Sequence, residues 1–189
     1  MTLFRTVDPE SEPVSLSEAK QNLRIDHDSE DDLLSALIVA AREEVEVSCG
    51  LALLSQHWRV TLDALPASGR VLLRRYPVRE VTAVTLYGSN GEASIVDDAA
   101  YRLDVHGRPA RLHFRNAIEP GADINGIEID FEAGYGETAA AVPELLKRAV
   151  LVLVAHWYEF RATYSAQQQP VSYPPVYDRL IAPWRTRRL

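Results

Sequence analysis

The 189-residue sequence has a single cysteine, Cys49, so no intrachain disulfide can form and no paired-cysteine redox or zinc pattern exists. A reducing compartment is the simplest setting for such a chain. No run approaches the roughly 18 apolar residues that a membrane helix needs. The longest candidate, AVLVLVA at 149–155, is short and flanked by Lys147, Arg148 and His156. The first residues, MTLFRTVDPESEP, lack the apolar stretch of a secretory signal. Positive charge is not in surplus either: 20 Lys and Arg against 27 Asp and Glu give a net charge of −7. That balance argues against a general nucleic-acid binder, which must displace counterions with an excess of cations.

Catalytic signatures are also missing. There is no phosphate-binding GxxxxGK[ST], no GxGxxG opening a βαβ unit, no HExxH and no GxSxG. The five histidines, His27, His57, His106, His113 and His156, do not fall at metal-ligand spacing. His106 and His113 flank a turn and could approach one another, but exposed strand histidines are the commoner case. His156 precedes Trp157 and Tyr158, and it reads as a core or interface histidine because no nucleophile or carboxylate partner accompanies it. The carboxylate pairs Asp97/Asp98 and Glu128/Asp130 read as solvent-facing. The acidic run DHDSEDD, 26–32, is not a calcium loop: the sixth position from Asp26 is Asp31, where the turn requires glycine. The glycines of GYG at 134–136 read as a flexible strand-to-helix junction.

What is present is a succession of periods. Residues 1–13 read as an extended leader. VSLSEAKQNLRI, 14–25, opens a helix with a capping box of Ser15 and Glu18. A second helix follows the acidic run, with Asp28 or Ser29 as its cap. Its face is Leu33, Leu34, Leu37, Ile38, Ala41 and Val45, and Gly50 ends it. Alternation then takes over. HWRVTLDAL (57–65), RVLLRRYPV (70–78, ended by a proline turn), EVTAVTLYG (80–88), YRLDVHG (101–107), ARLHFR (110–115) and GIEIDFEAG (126–134) read as about six short strands, with a hairpin turn at SNG, 89–91. The chain returns to helix at Pro143 and Glu144. Leu145, Leu146, Ala149, Leu153, Ala155, His156 and Trp157 cover so much of this helix that burial from several sides is expected. A Gln/Pro/Ser linker, 162–175, precedes a last short helix or extended arm, VYDRLIAPWRTRRL, and the final eleven residues hold four arginines and no acid.

The expected fold is α+β: a three-helix core with an inserted small antiparallel β module and an extended C-terminal arm. Its segments are 1–55 (leader and two core helices), 56–134 (β module), 135–162 (third helix) and 163–189 (linker and arm).

AGYGETAAAVPELLKRAVLVLVAHWYEFR, at 133–161, resembles the closing helix of the head–tail connector (adaptor) proteins of long-tailed bacteriophages, proteins also found in prophages and gene transfer agents. PVSLSEAKQNLRIDHDSEDDLLSALIVAAREEVE is similar to their paired opening helices, LLSQHWRVTLD to their first inserted strand, and RRYPVREVTAVTLYG to the strand pair that follows. The resemblance covers about residues 13 to 162; beyond it only the character of a linker with a basic end agrees.

The resemblance implies a structural protein with no catalytic residues, metal or cofactor. It implies a homo-oligomeric ring, usually twelve-fold, at the neck of a virion or phage-like particle assembled in the bacterial cytoplasm. Such a ring joins the portal protein to the next neck (stopper) protein and surrounds a channel through which DNA passes without specific binding. It further implies that residues 174–189 dock on the portal. The contact residues would then be Tyr177, Arg179, Leu180, Ile181, Trp184, Arg185, Arg187 and Arg188, with His156, Trp157 and Tyr158 in a subunit interface or core. Two other classes stay open on the residues alone. One is a small metal-dependent or other hydrolase using His106, His113 or His156; the other is a soluble adaptor module that binds a peptide on its β insertion.

Overall fold

Strict alternation along 127–133 writes the centre of the structure. In a strand successive side chains face opposite ways. Ile127, Ile129, Phe131 and Ala133 are accordingly wholly buried, while Glu128, Asp130 and Glu132 face the other side. In the computed structural model, which describes residues 1–160 and 173–185, this strand is the middle of a five-stranded antiparallel sheet. With β1 (Thr2–Val7), β2 (Gln56–Leu62), β4 (Val78–Tyr87), β5 (Ala93–Ile95) and β8 (Ile127–Ala133), the order is β1-β2-β8-β4-β5. Registers bring apolar residues abreast: Trp58, Phe131 and Val81 in one row, Val60, Ile129 and Val84 in another. A second sheet of β3 (Arg70–Leu73), β6 (Tyr101–Asp104) and β7 (Ala110–Phe114) has the order β3-β7-β6. It buries Val71, Leu73, Tyr101, Leu112 and Phe114, and the rings of Tyr101 and Phe114 meet at 5.8 Å.

Two corrections to the strand reading have a physical cause. The strand of RVLLRRYPV stops at Leu73, ahead of its proline turn. Pro77 has no N–H to give to a ladder and lies in the connection between two sheets, 70–73 joining the small one and 78–87 the large one. The leader is also not free. Thr2–Val7 pairs with Thr61–His57, covering an edge of β2 that would otherwise expose its backbone groups. Residues 1–10 therefore belong with 55–135 in one compact unit, which has eight strands where about six were expected. The SNG turn joins β4 to β5, with Gly91 at φ 80, in the left-handed region that favours glycine.

Residues 11–54 and 136–189 form the other unit, a helical one. α1 (Leu16–Leu23) starts on the expected box: the Glu18 amide donates to Ser15 Oγ at 3.2 Å, and the Ser15 amide donates to Glu18 Oε2 at 2.7 Å. α2 (Asp31–Cys49) ends at Gly50, φ 65, as the sequence indicated. Its start differs. Glu30 is the capping residue and makes no side-chain cap bond. Asp28 is diverted to Lys20 (2.5 Å), which Asp31 also accepts from (2.8 Å), and Ser29 is bonded to His27.

α3 (Glu144–Phe160) buries Leu146, Ala149, Val150, Leu153 and Val154. α4 (Pro175–Ile181) makes the C-terminal end a short helix rather than an extended arm. α2 and α3 pack on each other, α1 packs on both, and α4 packs on α3. Leu34, Ile38, Ala41, Val45, Leu146, Leu153, Tyr177 and Ile181 form the interior.

Candidate assembly interface

The C-terminal segment is divided between two tasks by its helical period. Pro175 occupies the first turn of α4, where its missing N–H costs nothing. Tyr177 and Ile181, four residues apart and so on one face, are wholly buried within the helical unit. The Ile181 carbonyl lies 4.0 Å from Cys49 Sγ at the end of α2, and the Tyr173 and Tyr177 rings are 5.2 Å apart. Burial pushes the Tyr177 phenol up to about 12. The opposite face is outward: Arg179 and Arg185 are exposed, Leu180 and Trp184 half-buried. Arg185 pairs with Asp178 at 2.7 Å. Arg187 and Arg188 lie outside the described residues. Tyr177 and Ile181 thus anchor the segment to its own chain.

α3 is not buried from every side. Leu145 is 50% exposed and Phe160 37%, while His156, Trp157 and Tyr158 are each half-buried. The Tyr158 hydroxyl donates to Glu30, and the His156 and Phe160 rings meet at a tilt of 59° with centroids 4.8 Å apart. The described unit covers one face of this apolar helix and leaves the stripe of Leu145, Val152 and His156 partly open.

Other groups singled out from the sequence are accounted for locally. Asp97 caps a short 3-10 turn by accepting from the Ala99 amide at 2.7 Å, and Asp98 accepts from the Tyr101 hydroxyl at 2.5 Å. Glu128 and Asp130 are not merely solvated. They share Arg59, at 2.9 Å and 2.7 Å, and Glu128 also accepts from Tyr87. The Asp130 hydrogen bond holds the Arg59 guanidinium above its ordinary range. His106 and His113 do come to one concavity, but its other charged walls are Arg70, Arg102, Arg111 and Asp104, a surplus of cations that repels a metal ion. Among the described residues no three His, Cys, Asp or Glu side chains are grouped to hold a metal.

One network the sequence reading missed lies inside the helical unit. Arg42, only 4% exposed, donates to Glu12 at 2.8 Å and to Glu46 at 3.0 Å, and Glu46 accepts from the Leu53 amide at 2.8 Å. Burial raises the Glu12 carboxyl above its ordinary range, with Arg42 opposing. The Arg42/Glu46 spacing of four was the available signal; nothing in the sequence distinguished it from a surface pair.

An α+β chain that spends charged groups on internal ion pairs, and keeps an apolar helix stripe and the exposed Arg179 and Arg185 outward, is an assembly protein in its architecture. A family model described as head completion protein (HCP) matches residues 13–173. The chain belongs to the head completion protein family and is a structural head–tail connector.

No curated protein matches it. Among solved structures it is similar to a chain in the neck of an empty gene transfer agent (GTA) particle computed with C6 symmetry, with a TM-score of 0.84 and 30% identity over 100% of this chain and 97% of that one. It is equally similar to a chain in the virion of a native gene transfer agent particle: TM-score 0.83, 30% identity, the same coverage. A chain in the neck of a native particle computed with C12 symmetry gives 0.80 and 29%, covering 100% and 97%. No described helix is long and apolar enough to cross a membrane.

Proposed function

We propose that the chain builds a homo-oligomeric ring, most simply of twelve copies, between the portal and the next neck (stopper) protein of a tailed phage or gene transfer agent particle. DNA passes through its centre. The supporting observation is end-to-end likeness, at 30% identity, to proteins that sit in particle necks with six-fold and twelve-fold symmetry. The role is structural and non-catalytic.

The portal dock on this reading is the outward face of 173–185 together with the basic residues beyond it. Trp184 supplies the aromatic anchor; Arg179 and Arg185 supply forks for carboxylates, and Trp and Arg are the residue types that dominate interface energetics. Because Tyr177 and Ile181 hold the segment to its own unit, the dock is presented on a pre-ordered helix. That lowers the ordering cost of binding. An acidic body also suits a conduit, since like charge keeps DNA from adhering.

The test is attachment of purified chain to portal-bearing heads lacking it. Trp184→Ala with Arg179→Glu should fold normally and fail to attach. Wild-type attachment by this variant would remove the segment from the dock. Deletion of 174–189 should also abolish attachment, but it removes Tyr177 and Ile181 from the interior, so the point variants are the cleaner test.

A further inference from the structure

The outer face of the three-stranded sheet carries an unusual row. Arg70 on β3 is directly opposite His113 on β7, and His113 is directly opposite Arg102 on β6. All three are exposed, and no carboxylate stands in the row. The two guanidinium groups, set on either side of a histidine, concentrate positive charge on one exposed face and so favour an external anion. The next row is Leu72, Arg111 and Asp104. There Arg111 and Asp104 satisfy each other, by a bond from Arg111 Nε at 3.0 Å and a second from its Nη2. The Arg70 and Arg102 side chains have no hydrogen-bond or ion-pair partner among the described residues. With Leu103, Val105 and His106 they line an open concavity of about 410 Å³.

The chain carries its own counterpart. Residues 11–54 hold ten acids and three bases (10 − 3 = 7), a charge of −7 that equals the net charge of the whole protein. Within that stretch Lys20 is shared by Asp28 and Asp31, and Arg42 by Glu12 and Glu46. Asp26 and Asp32 are exposed, with no hydrogen-bond or ion-pair partner among the described residues.

A ring of identical subunits is closed by a heterologous contact, in which two different patches of one chain meet on neighbours. Resting on the ring proposed above, we propose that the Arg70–His113–Arg102 face of one copy docks on the acidic Asp26–Asp32 segment of the next. The occupant is a second copy of this chain. The surfaces are complementary in charge, and Arg70 and Arg102 present guanidinium forks suited to carboxylates.

Charge reversal in two separate chains decides it. Arg70→Glu/Arg102→Glu gives a copy with two acidic patches, and Asp26→Lys/Asp32→Lys a copy with two basic ones. All four positions are exposed, so both variants should melt as the wild type does. Each alone should lose about tenfold or more of its ring formation on portal-bearing heads, since like-charge juxtaposition opposes association. An equimolar mixture should recover it, because alternating copies restore every contact.

Failure of the mixture to recover what each variant lost overturns the inference, as does full ring formation by either variant alone. Loss of duplex DNA retention by the Arg70/Arg102 variant, with its ring intact, would reassign the face to phosphate. A wild-type chain that stays monomeric on heads would instead overturn the ring itself.

Discussion

Arg42 in the helical unit and Arg59 in the β unit make the same contacts on paper: each holds two carboxylates within 3.0 Å. They differ in burial. The Arg42 side chain is 4% exposed and that of Arg59 33%. Water reaches the Arg59 guanidinium, and Glu128 and Asp130 keep 17% and 22% of their side-chain surface, so these pairs are partly screened, whereas Arg42 and Glu46, at 4% and 5%, have no water to replace a lost partner. Removing one member of a buried pair strands a desolvated charge, while removing one member of an exposed pair costs little. The same drawing of an ion pair therefore means a structural keystone in one unit and a trim of the surface in the other.

The largest effects that bear on this contrast are in the apolar interiors, which set the scale. Phe131→Ala in β8 should cost about 3–5 kcal/mol, and Leu153→Ala in α3 about 2–5 kcal/mol, in denaturant unfolding, both side chains being wholly buried. Arg42→Ala should approach the same size, about 3–5 kcal/mol, because Glu46 stays buried and Glu12 half-buried without a counterion. Arg42→Met should cost clearly less with Glu12→Gln and Glu46→Gln added. If Arg42→Ala melts like the wild type, the contrast with Arg59 is wrong.

Trp157→Ala should fall short of the roughly 3–5 kcal/mol of a fully buried aromatic, since this side chain is only half-buried in the single chain. A much larger loss in the assembled particle than in isolated protein would mark it as an interface residue.

Ser15→Ala should cost about 1 kcal/mol through the lost cap. It carries a pH signature as well. The Ser15 backbone and side chain hold the Glu18 carboxyl below its ordinary value of 4.5. A depressed carboxylate stabilises the fold above that value and loses its contribution as pH falls through the folded-state pKa. The wild type should therefore show an acid-side loss of stability that is smaller in Ser15→Ala, which keeps the larger backbone bond to Glu18 and loses only the hydroxyl one, read by melting between neutral and acidic pH. Smallest of all, Arg59→Ala should cost less than about 1 kcal/mol and become smaller still in high salt.

Much of the fold could be read locally. The Ser15/Glu18 box, the Gly50 stop, the SNG hairpin and the alternation of 127–133 each depend on neighbours within four residues or on a period of two. What escaped depends on distant partners. Thr2–Val7 has little alternation of its own and becomes a strand only because β2 offers it an edge. The proline turn of 70–78 is legible, but not that the strands on its two sides join different sheets. For the assembly surface, the arginine-tipped end was visible as composition. Its inward Tyr177 and Ile181 could not be sorted from outward Arg179 and Trp184 before the helix and its docking face were known.

By itself the sequence determined the elements, their order and the acidic and basic stretches, because caps, turns and periodicity are properties of a few consecutive residues. Only the tertiary structure decided which charges are buried, which helix faces stay open and which arginines stand abreast. Burial and register arise when segments far apart in the chain exclude water from one another, and no local pattern encodes that.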